Sequence, residues 1–329
     1  MKNLLDKIFP TLSDELIIVI SLIIGLLVTA SLILFLVKKI SPKTNISELA
    51  ARTRSWWIMA ASRKGNTRIM AGMFIGAVFI SYNISYFFLA FLSFIAFREL
   101  YSVLGFREAD RGALFWGILS IPIQYYLAYL AWYGAFIIFI PVVMFLVLPL
   151  RLVLKGDTHG ITKSMALLQW ILMLSVFGIS HLAYLLSLPE LPGFSSGGRG
   201  LLLFLVFLTE INDIMQFIWG KLLGRHKILP KVSPNKTWEG FLGGVISTTA
   251  IGYFLGFLTP LSAPNVILVS ALLAIAGFSG DVVISAIKRD KGIKDMGNSI
   301  PGHGGVFDRI DSLSYTAPVF FHLVYYIAY

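Results

Sequence analysis

The chain has 329 residues, 57% of them hydrophobic and only 13% charged, with a mean hydropathy of +0.81 and a formal net charge of +10. Soluble domains carry roughly 25% charged residues, so the composition excludes an ordinary globular domain and fits one polytopic membrane domain. The absence of cysteine excludes disulfides, thiolate nucleophiles and cysteine-ligated metals.

The first long apolar run, 16–37, follows Asp14 and Glu15 and precedes Lys38 and Lys39. A signal peptide carries its positive charge before a shorter apolar core, so this run reads as a retained first span. Ten spans are expected in an all-α fold, at 16–37, 69–82, 84–97, 113–132, 134–150, 165–187, 200–219, 240–258, 265–287 and 313–329. The second and third share one apolar block and fall short of the ~20 residues a span needs. Residues 1–200 form an N-terminal transmembrane region of six spans, and 201–329 a C-terminal region that carries the chemistry. No internal repeat or low-complexity segment is visible.

Charge orients these spans. With the N-terminus outside, the inside segments are 38–68, 98–112, 151–164, 220–239 and 288–312, and they hold twenty-four of the twenty-seven Lys and Arg residues. Only Lys2, Lys7 and Arg199 fall outside. Cytoplasmic loops are enriched in Lys and Arg, so the expected location is a bacterial cytoplasmic membrane, with loops 220–239 and 288–312 in the cytoplasm. The basic residues flank spans and form no separate basic domain, which argues against a nucleic-acid partner. Segment 38–68, with Trp56, Trp57 and Met59, reads either as an amphipathic helix on the anionic inner leaflet or as a positive-inside loop with interfacial tryptophans.

Three groups of carboxylates do nothing for topology. Glu210 and Asp213 lie inside a span, where an ionisable residue costs about 2.5–3.5 kcal/mol and usually faces a polar cavity. They are three apart and share a helix face; the competing reading is that the span ends before them. Asp281, Ser285 and Lys288 fall at i, i+4 and i+7 and line one face leading toward the cytoplasm. Asp308 and Asp311 share one side of a helix. Oxygen-only ligands favour a hard ion such as Mg²⁺ over zinc. The turn at His303 supplies Gly302, Gly304 and Gly305, whose backbone would let N–H groups approach phosphate oxygens. Lys288, Arg289, Lys291, Lys294 and Arg309 surround it. Carboxylates for a metal, glycines for close approach and cations for phosphates point to phosphoryl or nucleotidyl transfer. The stretch 220–240 adds Lys236 with Ser233 and Thr237, and is not a Walker loop. His181 and His322 lie in apolar spans and read as interhelical hydrogen-bonding residues.

At these residues the chain resembles a known family. "SAIKRDKGIKDMGNSIPGHGGVFDRID", Ser285 to Asp311, resembles the signature of the phosphatidate cytidylyltransferases, or CDP-diacylglycerol synthases, and "DIMQFIWGKLLGRHKILPKVSPNKTWEG" is similar to the family's second conserved block. The matches cover residues 210–311. The family usually has Ala-Tyr three and four residues after the acid matching Asp213. This chain has Gln216 and Phe217 there, and an extra Glu210, which suggests a divergent branch. The resemblance implies Mg²⁺-dependent transfer of CMP from CTP to phosphatidic acid, giving CDP-diacylglycerol and pyrophosphate in phospholipid biosynthesis. It implies one or two metal ions held by Asp281, Asp308 and Asp311, and phosphates met by Lys288, Arg289, Lys294 and Arg309. Ser233, Lys236 and Thr237 would hold the nucleotide or pyrophosphate, with His303, Gly304 and Gly305 in the substrate-binding turn. Asp213 would line the cavity or join the metal shell. The lipid would enter sideways from the inner leaflet. The resemblance also makes a homodimer the expected assembly, with Gly243 and Gly244 permitting close helix packing. Two alternatives stand beside it: a related nucleotidyltransferase or kinase acting on another lipid phosphate or polyprenol, and a transporter for anionic lipid. The second predicts charges spread along several spans and symmetric halves, whereas here they cluster in the last third.

Overall fold

The computed structural model describes residues 82–297 and 304–329. The expected span 16–37, nearly all of 69–82, the segment 38–68 and His303 lie outside the described residues. The chain divides into two compact units, Met1–Phe88 and Leu89–Tyr329. The first is described only from residue 82 onward, and the second carries all the other described residues.

Among the described residues the chain is mostly helical, and each of the last eight expected spans is met by a helix. These are α1 (Tyr82–Leu104), α2 (Arg111–Tyr129), α3 (Tyr133–Val153), α4 (Ile161–Leu186), α5 (Gly197–Leu222), α6 (Trp238–Phe254), α7 (Ala263–Asp290) and α8 (Phe307–Ala328). Five of them, α1, α3, α4, α5 and α7, are long and apolar enough to cross a membrane. This is an integral membrane protein. The remaining three depart from that pattern in length or polarity: α6 has 17 residues, α2 carries Arg111 and Gln124, and α8 opens on Asp308, Arg309 and Asp311. All the same, α2 and α6 turn Phe115 (62% exposed) and Ile246 (69% exposed) outward, as a lipid-facing surface does.

The short third span becomes a helix of 23 residues. Its Arg98-Glu99 pair reads as the start of a loop, but Glu99 is buried inside the last turns of α1. α3 carries a π-helical segment, Phe139–Met144, which contains Pro141. Proline removes one N–H from the helical ladder and its ring crowds the preceding turn, which a π-bulge relieves.

With lipid offering no hydrophobic drive between helices, polar side chains and close packing hold them together. Tyr125 of α2 and Ser93 of α1 share a 2.7 Å hydrogen bond, and Gln124 Nε2 donates to Phe136 O of α3 and to Ser180 Oγ of α4, each at 3.2 Å. Asn212 of α5 donates to Ala274 O of α7 at 3.0 Å and accepts from Thr248 of α6 at 3.4 Å. Thr209 of α5 meets Thr316 of α8 at 3.0 Å. Gly243 and Gly244 lie against Trp219 and Gln216 of α5, so their smallness serves packing of α6 within the chain.

Outside the helices, Asp110 is fully buried and ties the turn after α1 to α4. Arg107 Nη2 donates to it at 2.7 Å and Ser164 Oγ at 2.7 Å. Burial pushes the Asp110 carboxyl up, but the bonds from Arg107 and Ser164 outweigh it and hold the group below its ordinary range.

The expected loop 220–239 is a small antiparallel hairpin. β1 (Lys227–Leu229) pairs with β2 (Ser233–Thr237), Lys227 opposite Thr237 and Leu229 opposite Ser233. It joins α5 to α6. Among the described helices, α5 on α6, α6 on α7 and α7 on α8 make the most extensive pairings.

Candidate active site

The N-terminus of α8 shows how the site is framed. The first N–H groups of a helix have no partner inside it and carry a partial positive charge. Here the partner is Glu99 of α1: Val306 N donates to its Oε1 at 3.0 Å and Phe307 N to its Oε2 at 2.8 Å. Glu99 is 4% exposed. A Cβ at Gly305 would fall 2.6 Å from Glu99 Oε2, so glycine is what lets that carboxylate reach the helix end. Gly304 has φ +83°, the left-handed region, with Asp308 Oδ2 close beside it. Asp308 Oδ2 in turn accepts from Met296 N and from Gly305 N, each at 2.8 Å.

At Gly304 and Gly305 the groups in close approach are carboxylates of the protein, Asp308 and Glu99. Glu99 and Asp308 thereby engage the N–H groups of Gly305, Val306 and Phe307. Sequence reasoning missed Glu99, counting it as part of the inside segment 98–112.

With those donors engaged, lysines supply the positive charge, and each is held by a carboxylate on another element. Lys236 of β2 places Nζ 2.6 Å from Asp281 Oδ2 of α7. The same ammonium donates to Gln216 Oε1 of α5 at 3.0 Å and lies 5.3 Å over the Phe278 ring. Lys288 of α7 places Nζ 2.7 Å from Asp308 Oδ1 and 3.7 Å from Asp311 Oδ2 of α8. The side chains of Lys288, Asp308 and Asp311 are 12%, 4% and 15% exposed, so solvent screens this group little. Asp311 lies within electrostatic reach of Asp281 and Asp213 as well as Lys288, which makes the two lysine–carboxylate groups neighbours.

The other expected residues divide. Asp213 joins the cluster, with Ser312 Oγ 3.4 Å from its Oδ2. Ser285 donates to Asp281 Oδ1 at 3.3 Å. Thr237 is buried and caps α6, its Oγ1 accepting from Gly240 N at 3.1 Å, so its hydroxyl already has a structural task. Ser233 is half-buried on β2. Arg289 is exposed and reaches Val232 O at 3.3 Å, bracing the hairpin rather than meeting the carboxylates. Lys294 and Arg309 are exposed. Glu239, in the first turn of α6, fastens the hairpin: it accepts from Arg225 N at 3.0 Å and lies 2.5 Å from His226 Nδ1. The His226 bond, with those from the neighbouring backbone, holds the Glu239 carboxyl down to about 2.

The donor set suits a hard divalent ion, because every candidate ligand atom is a carboxylate oxygen. Asp308 Oδ1 is buried and faces the Lys288 ammonium at 2.7 Å. Among the described residues, however, no three of His, Asp and Glu converge closely enough to hold a metal as they stand. Asp281 and Asp308 hold lysines instead.

Comparison with known proteins shows the family of the chain. Residues 61–327 match the model of the Cytidylyltransferase family. The uncharacterized protein YnbB of Escherichia coli K12 is 41% identical over 307 residues, 93% of this chain and 97% of that protein. A phosphatidate cytidylyltransferase of Staphylococcus haemolyticus is 39% identical over 126 residues, 38% of this chain and 48% of its own length. One from Rickettsia bellii is 40% identical over 119 residues, 34% of this chain and 52% of its own. The chain thus spans about half the length of the phosphatidate cytidylyltransferases it matches. It belongs to the cytidylyltransferase family.

Proposed function

We propose that this member of the cytidylyltransferase family transfers CMP from CTP to the phosphate of phosphatidic acid, with Mg²⁺, releasing pyrophosphate. The observation that carries the reading is the meeting of Lys236–Asp281 with Lys288–Asp308–Asp311, from β2, α7 and α8, at one end of the α5–α8 bundle.

The chemistry follows from charge. The lipid phosphate is a monoester, largely ionised near neutral pH, so it needs little help from a base. One of its oxygens forms a bond to the α-phosphorus of CTP, and the bond from that phosphorus to the β-phosphate oxygen breaks. The obstacle is repulsion between two polyanions. Lys236, beside Asp281, and Lys288, beside Asp308 and Asp311, offset that repulsion, and a weakly screened site makes each cation count for more than in water. Asp281, Asp308 and Asp311 would hold one or two Mg²⁺ ions, which supply charge neutralisation on the phosphate oxygens. Glu99 fixes the turn that carries Asp308, so the carboxylates are positioned before substrate arrives. The site faces the cytoplasm in this reading, and the lipid enters sideways from the inner leaflet.

The test is turnover by the purified protein in detergent with labelled CTP. Pyrophosphate should appear only when phosphatidate and Mg²⁺ are both present, and not with other nucleoside triphosphates. Asp308→Asn should lower turnover by roughly a hundredfold or more, the scale for losing a group that stabilises transition-state charge; full activity in that variant sinks the ligand assignment. A second reading rests on Gln216, whose amide stands beside Lys236. It is that the acceptor is a different lipid phosphate, and a panel of lipid phosphates at fixed CTP decides between the two.

A further inference from the structure

We propose that Lys236 and Lys288 are placeholders. Each occupies the carboxylates meant for the divalent ion and passes to the nucleotide polyphosphate when ion and nucleotide arrive, so that metal and nucleotide bind as one linked event. The inference rests on the reading of the site as a metal-dependent nucleotidyltransferase and concerns how that site fills.

Three observations lead to it. First, the lysines stand where a metal would. Lys236 Nζ is 2.6 Å from Asp281 Oδ2 and Lys288 Nζ is 2.7 Å from Asp308 Oδ1, while among the described residues no three carboxylates converge on a common point. Second, the pairs are crossed. Asp281 and Lys288 sit on the same helix, yet each pairs with another element, β2 or α8. An ion that drew Asp281, Asp308 and Asp311 together would have to separate both pairs. Third, the lysine side chains are only 18% and 12% exposed. A dication arriving alone would leave two poorly hydrated ammonium groups beside it, three like-signed centres in one pocket. A dication arriving with a triphosphate brings the anion those ammonium groups require.

Gln216 shows how Lys236 makes the move. An ammonium only donates, so the amide oxygen is fixed toward Lys236 and the NH₂ must point away. Gln216 Nε2 is buried without a hydrogen-bond partner. The oxygen remains an anchor for Lys236 after Asp281 is taken. Lys236 therefore pivots on α5, with the Phe278 ring beneath it, rather than swinging into water.

By linkage, whatever makes the nucleotide tighten the ion makes the ion tighten the nucleotide by the same factor. The measurement is Mn²⁺ binding, read by electron paramagnetic resonance on the full chain in detergent, with and without a CTP analogue carrying a methylene between the α- and β-phosphorus. The analogue should tighten Mn²⁺ by about tenfold or more, within the usual range of coupling between sites. Lys288→Gln and Lys236→Gln should each tighten Mn²⁺ in the absence of nucleotide and shrink the effect of the analogue. Lys288→Arg, which keeps the cation, should leave Mn²⁺ alone weakly bound, and this separates charge from folding. Lys155→Gln, remote from the site, should change neither quantity. Equal Mn²⁺ affinity with and without the analogue overturns the proposal. So does the absence of Mn²⁺ binding under both conditions, or the failure of both glutamine variants to tighten the ion. Phosphatidate turnover on the same wild-type preparation separates the two levels. Linked binding without turnover defeats the lipid reading alone, and turnover without linkage defeats the placeholders alone.

Discussion

Glu99 shows how one side chain can organise a site it need not touch. It closes two N–H groups at the start of α8, and those groups belong to the turn that aims Asp308. A buried donor left without an acceptor costs about 1–3 kcal/mol. Glu99→Ala strands two, so it should lower stability by at least about 2 kcal/mol, seen as an earlier thermal unfolding in detergent, with CTP turnover falling in parallel. Glu99→Gln keeps one acceptor oxygen and should fall between Ala and wild type. An unfolding temperature for Glu99→Ala equal to wild type would mean that water satisfies those donors and that the brace is not needed. Gly305→Ala should act from the other side, because the added Cβ would meet Glu99 Oε2 at 2.6 Å and Gly297 N at 2.9 Å. None of this is legible along the chain: Glu99 and Val306 are 207 positions apart. Asp281, Lys288, Asp308 and Asp311 are legible, because carboxylates and lysines in an apolar sequence need a reason. Their pairing is not, since periodicity places residues on faces and says nothing about which face meets which. The glycines at 304 and 305 are also readable, whereas the approach of the Glu99 carboxylate to that turn depends on a helix from elsewhere in the chain.

At the scale of elements, apolar runs locate each of α1 to α8, because lipid demands a satisfied backbone and a near-continuous apolar surface. The errors come where charge enters a helix. Arg98 and Glu99 cut the third apolar run short, yet the helix continues to Leu104 because Glu99 has buried partners. The β1–β2 hairpin is hidden for another reason. Strands of three and five residues, with half of their side chains exposed, are too short for a periodic pattern to read. What fixes the hairpin is Glu239, held to His226 and to the Arg225 and His226 amides. Its folded pKa of about 2 lies below the ordinary value of about 4.3. A depressed carboxylate contributes stability that is fully present above the unfolded value and is lost as pH falls toward the folded one. Hydrogen exchange at the Arg225 and His226 amides, after correction for intrinsic rates, should therefore stay slow above pH ~4.3 and accelerate toward pH ~2. Glu239→Gln should exchange faster at neutral pH and lose that dependence. Protection unchanged by the substitution would show that the hairpin is held by its strand pairing alone.

The whole molecule raises the question of side. Helix α5 has 26 residues and is therefore about 39 Å long, more than the ~30 Å hydrocarbon core it would cross. As a span it would put the segment before it and the hairpin after it on opposite sides of the membrane. The hairpin meets the C-terminal end of α7 through Arg289 and Val232, and α7 meets the start of α8 through Lys288 and Asp308. The hairpin, the end of α7 and the start of α8 thus meet at one end of these helices, and the distribution of Lys and Arg predicts that this end faces the cytoplasm, as proposed above. The chain has no cysteine, so single cysteines report their own accessibility without background. Glu190, Lys231 and Asp290 are all exposed positions in the segments between helices or at a helix end. Glu190→Cys should react with a membrane-impermeant maleimide on intact spheroplasts, and Lys231→Cys and Asp290→Cys only on inverted vesicles. Reaction of all three from one side would contradict α5 as a span. The reverse pattern would keep the fold and turn the site outward, away from the compartment that holds CTP. It would remove the nucleotide from the proposed reaction while leaving every distance in the site unchanged.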